Sequence, residues 1–264
     1  MTKYNALAFA LCCVLLVSFS LSARADYSEE SMPRPYGSSE YANGYTETDK
    51  GQIKETVKTG LLKWEHYNIY LPDGETEAVS YKRPAILLLH GAGRTGASLV
   101  ERWRKIADND NVILIGPHAN GRWDPASDAK YFIPALLKDT IKKYNIDPNR
   151  IYVFGHSMGG VFACFLAIMQ PDSFAALGIH AGMLPENVLP MLSGEGRKTP
   201  IIMINGTRDK GFPISQVRQT AKAFAKTGHD VKLKVLENHG HWYYDIAPSV
   251  NQMAWDYFKR KSLE

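Results

Sequence analysis

The chain has 264 residues, 45% of them hydrophobic and 22% charged, with a formal net charge of +4. This is ordinary globular composition, long enough for one large domain, and it excludes a fibrous or low-complexity chain. No basic block suited to nucleic acid is present, so no nucleic-acid partner is expected.

Residues 1–25 read as a signal peptide. Lys3 supplies the positive start, residues 6–21 the apolar stretch, and Ala23-Arg24-Ala25 a small-x-small cleavage site. An uncleaved membrane anchor is the alternative, because the apolar stretch is not much shorter than a bilayer span. Leu11 precedes Cys12 where a lipoprotein would place a small residue. The expectation is export to the periplasm or beyond, with no stable membrane association after cleavage. Cleavage removes Lys3 and Arg24 and no acid, taking the formal charge from +4 to +2. It also removes Cys12 and Cys13, so Cys164 has no partner for an internal disulfide. Cys164 lies in the apolar run "VFACFLA" and is expected in the core.

Residues 26–55 are polar and follow neither the helical nor the strand period, which reads as a disordered leader. The domain proper is expected over 56–264. Its first segment, "LLKWEHYNIYLPDG", alternates Trp64, His66, Asn68 and Tyr70 against Tyr67, Ile69 and Leu71, with "PDG" as a turn, and predicts an early strand pair. Continuous apolar runs follow at 85–90, 112–117, 151–155, 175–182, 200–206 and 231–237. Between them lie helical stripes, such as Leu136, Leu137 and Thr140, or Val217, Ala221 and Phe224. Runs apolar on both faces, alternating with helices, predict a doubly wound α/β domain with a mostly parallel sheet and helices on both faces. Residues 182–200 are too short for a large lid, so the cleft is expected to be open.

The stretch "RIYVFGHSMGG" ends an apolar strand and opens an apolar helix. Gly155-His156-Ser157-Met158-Gly159 fits the G-x-S-x-G nucleophile elbow, a sharp turn that exposes the serine oxygen. A serine nucleophile needs a base, and the base needs an acid to orient it; the chain order in this fold is serine, acid, histidine. Asp209 follows the run at 200–206, and "NHGHW" follows the run at 231–237. His241 is preferred as base, and His239 is the alternative. The H-x-H pair also permits a metal reading, but no further ligand cluster completes a site, so neither metal nor cofactor is expected. Backbone donors for an oxyanion are expected at Met158, after the nucleophile, and in "HGAG", at Ala92 with Gly93 as the alternative. Trp123, Phe212 and Trp242 are loop aromatics expected to line the substrate cleft. Asn205-Gly206-Thr207 matches a glycosylation sequon but abuts the acid loop and is read as coincidence.

"RPAILLLHGAGRTG", "YNIDPNRIYVFGHSMGGVFACFLAIMQPDSFAA", "NGTRDKGFP" and "HGHWYYD" together resemble the α/β-hydrolase superfamily. Within it they resemble the exported esterases grouped with polyhydroxybutyrate depolymerases and feruloyl esterases. The resemblance runs from residue 67 to the C-terminus and implies Ser157 as nucleophile, Asp209 as acid and His241 as base. The chain departs from that group in lacking a disulfide and in reading H-S-M at the elbow where many members have L-S-A. Dienelactone-hydrolase-like proteins share similar phrases but carry cysteine where Ser157 stands. The expected function is an exported serine esterase acting on a small-molecule or polymeric ester. Acyl transfer or peptidase action by the same residues is the alternative, followed by a non-catalytic binding protein. Oligomeric state is not legible.

Overall fold

The computed structural model describes residues 25–42, 44–72, 81–119 and 121–263. The expected signal peptide lies outside them apart from Ala25, as do Asp73 and Gly74 of the expected turn. Among the described residues no helix is long and apolar enough to cross a membrane.

The strands are β1 (Tyr27–Pro33), β2 (Ile53–Lys58), β3 (Trp64–Tyr70), β4 (Arg83–Leu89), β5 (Ile113–Pro117), β6 (Ile146–His156), β7 (Ala176–His180), β8 (Ile201–Gly206) and β9 (Val231–Glu237). They form one sheet in the order β1-β9-β8-β7-β6-β4-β5-β3-β2. Every neighbouring pair from β1 to β5 is parallel, and β3 pairs antiparallel with both β5 and β2. The helices are α1 (Gly96–Asp110), α2 (Ile133–Lys143), α3 (Met158–Met169), α4 (Ile214–Lys226) and α5 (Ala247–Phe258). This is the mostly parallel α/β sheet expected.

Period-two alternation along each strand divides the core in two. Leu87, Val153, Ile179, Met203 and Leu233 pack with α2, α3 and α4. Ile86, Phe154, Ile202 and Ile204 pack with α1 and α5 on the other face. From β4 the chain crosses to β5 on one side; from β5 it returns over β4 to β6. Crossovers of a single hand then place α1 and α3 on opposite faces. The carboxyl ends of β4 and β6 therefore flank a topological switch point, where open α/β sheets bind their ligands.

The expectation of a disordered leader over residues 26–55 is corrected. β1 is the sheet's edge strand, parallel to β9 from Tyr27↔Val231 to Pro33↔Glu237. Its side chains are mostly exposed, so the pairing is carried by the backbone and leaves no hydrophobic period to read. Beyond it, Tyr45 is buried with its ring stacked 4.1 Å from that of Tyr244, and Glu47 accepts from the backbone N–H of Thr95 at the start of α1. The boundary at 55/56 runs through β2, which precedes residues 64–71 and pairs with them through the turn at 59–63, not through the expected "PDG" turn. Residues 183–200 carry only a 3-10 helix, Glu186–Met191, in place of a lid.

Candidate active site

Gly155 and Gly159 make the turn after β6 possible. A Cβ on Gly155 would lie 2.2 Å from the Gly159 carbonyl oxygen, and one on Gly159 would lie 1.9 Å from that of Leu89. These contacts let α3 start directly above the ends of β4 and β6. Between them Ser157 takes φ 57°, ψ −121°, a conformation rare for a residue with a side chain and costing on the order of 1–3 kcal/mol. The strain turns the side chain out of the strand's alternation and leaves it partly exposed.

Asp209 and His241 leave the sheet two and three strands away, and their loops are tied together. The backbone N–H of Arg208 donates to the His239 carbonyl at 2.8 Å, and that of Asn238 to Thr207 Oγ1 at 2.9 Å. Gly206 is required there, because a Cβ would come within 2.1 Å of the His239 carbonyl oxygen. Asp209 Oδ1 accepts from the backbone N–H groups of Gly211 and Phe212, each at 2.9 Å. Its other oxygen lies 2.9 Å from His241 Nδ1, and His241 Nε2 lies 3.0 Å from Ser157 Oγ. Burial pushes the Asp209 carboxyl up, but the bonds from His241 and from the two amides outweigh it and hold it below the ordinary carboxylate range. A carboxylate accepting at Nδ1 leaves Nε2 free to take a proton from the serine.

The loop after β4 sits against this group. A Cβ on Gly91 would lie 3.3 Å from Ser157 Cβ, so any larger residue would push the loop and the serine apart by a few tenths of an ångström. Ala92, exposed, and Gly93, at φ 70°, form the turn that follows. Met158 is the first residue of α3, where backbone N–H groups lack partners inside the helix.

His90, which sequence reasoning passed over, locks that loop. The Ala119 backbone N–H donates to His90 Nε2 at 3.0 Å, so Nδ1 carries the proton and donates to the Gly91 carbonyl at 2.8 Å. Burial lowers the His90 pKa and keeps this neutral tautomer. Trp123 was expected in the cleft; it is instead buried, its ring stacked on Phe162 and its indole N–H donating to the His90 carbonyl. As a loop aromatic it read as cleft-lining, yet its indole finds its partner in the β4 loop. Phe212 is half-buried with its ring 5.6 Å from that of His241, at the site. Trp242 is also half-buried, but its N–H donates to the Tyr41 carbonyl at 2.7 Å and ties the histidine loop to the N-terminal segment.

His239 is not a surface residue. It is 1% exposed, and its ring lies 5.7 Å from that of His180. Asn205, inside the sequon, is fully buried and donates to the Phe212 carbonyl at 3.0 Å, supporting the acid loop. Among the described residues no three His, Cys, Asp or Glu side chains could hold a metal ion together. Cys164 is buried in α3, and burial pushes its thiol pKa up.

Residues 123–257, just over half of the chain, match the dienelactone hydrolase family. The chain belongs to the dienelactone hydrolase family. Among curated relatives it is 30% identical over 152 residues to a poly(3-hydroxybutyrate) depolymerase of Ralstonia pickettii, covering 48% of this chain and 29% of that one. It is 34% identical over 128 residues to feruloyl esterase B of Neurospora crassa, covering 43% and 42%. The match thus spans less than half of either relative. Among solved structures it resembles a thermostable esterase with a TM-score of 0.65 at 21% identity, covering 81% of this chain and 64% of the other. It also resembles a ferulic acid esterase with a TM-score of 0.64 at 17% identity, covering 79% and 97%. Both establish the α/β-hydrolase fold for this dienelactone hydrolase family chain, whose elbow carries serine.

Proposed function

We propose that this chain is an exported carboxylic ester hydrolase that forms an acyl-enzyme on Ser157. The observation that carries the reading is the position of His241, one ring nitrogen 2.9 Å from Asp209 and the other 3.0 Å from Ser157 Oγ. Ser157 Oγ attacks the ester carbonyl while His241 Nε2 takes its proton. Asp209, ionised and held by two amides, stabilises the imidazolium that results. The carbonyl oxygen becomes an oxyanion between the N–H groups of Met158 and Ala92, each such donor being worth about 3–4 kcal/mol in the barrier. His241 returns the proton to the leaving alcohol, then activates the water that releases the acid. No step calls on a metal or cofactor.

The N-terminal pattern at residues 1–25 supports export, and the esterase names of the relatives support an ester as substrate. The test is a panel of p-nitrophenyl esters of increasing chain length, run beside methyl ferulate and an acetylated sugar, together with a fluorophosphonate probe. Hydrolysis that Ser157→Ala abolishes, with the probe attached at Ser157, is expected. Unchanged turnover in folded Ser157→Ala would overturn the mechanism.

A further inference from the structure

The segment Lys58-Thr59-Gly60-Leu61-Leu62-Lys63-Trp64 joins β2 to β3 and is the most apolar exposed point among the described residues. Leu61 and Leu62 are 86% and 90% exposed, and Trp64 is 57% exposed. The tip is a formed turn: the Thr59 N–H donates to the Lys63 carbonyl at 2.9 Å, and Lys58 pairs with Trp64 in the ladder. Two leucines are therefore held out by a closed hairpin, and nothing among the described residues covers them.

The hairpin also points in a definite direction. β3 is antiparallel to β5 with Tyr67 opposite Pro117, and the His118 N–H donates to the His66 carbonyl. Residues 59–64 thus project past the carboxyl end of the parallel strands, the end that carries Ser157. At the far edge of the sheet β1 pairs Pro33 with Glu237, so the chain leaves toward the same end, and Tyr36 three residues on is fully exposed. Met158, beside the nucleophile, is exposed as well. Apolar side chains therefore stand at both flanks and at the centre of the catalytic end.

We propose that the Leu61-Leu62-Trp64 tip docks this end of the molecule reversibly onto an anionic phospholipid surface. Two leucines and a tryptophan present on the order of 500 Å², short of the roughly 800 Å² per partner of a stable protein interface. A lipid surface needs no such area: leucines enter the acyl boundary, tryptophan lies at the headgroup level, and lysines reach phosphates. Lys58 and Lys63 bracket the leucines, and Lys58 is the one placed to reach a phosphate. The Lys63 ammonium is bonded to Glu65 at 2.7 Å and feels Asp128 and Asp124, while Lys58 is bonded to no acid among the described residues. A single shallow tip gives weak, reversible adsorption rather than stable anchoring. Resting on the esterase reading above, the substrate would be an acyl ester dissolved in that surface and delivered at the end where Ser157 opens.

The test uses the chain from Asp26 onward, the mature form that the N-terminal pattern predicts and the part that holds every element described above, mixed with vesicles of equal parts phosphatidylcholine and phosphatidylglycerol. Sedimentation reads binding without any turnover, so a failure of the esterase reading would not disturb it. The unaltered protein is expected to sediment with the vesicles, and the double variant Leu61→Ser, Leu62→Ser to partition at least about tenfold more weakly. That variant should keep its thermal midpoint and its turnover of a water-soluble short-chain ester. Trp64→Ala provides an independent second variant with a smaller loss. Protein that stays in the supernatant, or a double variant that sediments as well as the original, overturns the proposal. A concentration-dependent dimer that the double variant abolishes would assign the tip to a second copy of the chain instead.

Discussion

His156 Nδ1 lies 3.0 Å from His180 Nδ1 directly behind the serine, so one ring donates and the other accepts, and a proton on both is excluded. With His239 they form a buried group whose rings also contact His241 and Tyr243. Burial, and then the nearby histidines, lowers the His156 pKa to about 3 and puts that of His180 well below the ordinary value. Burial and Arg34 lower that of His239 to about 4. All three are neutral in the fold and gain protons near pH 6.5 once unfolded. Stability is therefore greatest above that pH and falls as pH drops from about 6.5 through 4, because the unfolded state then binds more protons. Each histidine adds to that fall, at roughly 1 kcal/mol per pH unit while it stays neutral in the fold. Urea denaturation at a series of pH values checks this. A midpoint that stays flat between pH 6.5 and 4.5 would show the histidines to be accessible.

His241→Ala is expected to lower the turnover number by about 10⁴-fold or more, the scale of removing a member of such a group. His239→Ala should cost about tenfold or less, since its ring faces His180 rather than the serine. Steady-state kinetics on both variants decides the matter, and a larger loss at His239 would move the base there.

Asp209→Asn keeps the shape of the loop but replaces the acceptor at His241 Nδ1. The wrong imidazole tautomer would be stabilised, and a loss of about 10⁴-fold in kcat is expected with little change in KM. A drop confined to KM would mean that Asp209 serves binding alone.

Gly91→Ala tests the approach of the β4 loop. Its Cβ would lie 3.3 Å from Ser157 Cβ and must push the loop and the serine apart. Displacing either by a fraction of an ångström should cost about 10- to 100-fold in kcat while the fold persists, as thermal melting would show. Wild-type kcat in this variant would mean that the loop gives way without cost.

The sheet, the glycine-flanked turn at Ser157 and the loops that bring Asp209 and His241 within reach of it were legible because each depends on local pattern. Parallel strands buried on both faces must be continuously apolar, and a strand that turns sharply into a helix must have glycines at both sides of Ser157. The sequence also located the acid and histidine loops, since each directly follows such a strand. What it could not carry were contacts between segments distant along the chain. β1 pairs through its backbone and shows polar side chains on both sides, so composition alone made it a leader. Trp123 and His90 are joined by an indole N–H and a carbonyl 33 residues apart. Nothing near either residue announces that bond, and only folding turned an expected cleft aromatic into the support of the β4 loop. The choice between His239 and His241 was of the same kind. Both belong to one five-residue loop, and the pairing of Arg208 with the His239 carbonyl turns one ring into the core and leaves the next to reach Ser157.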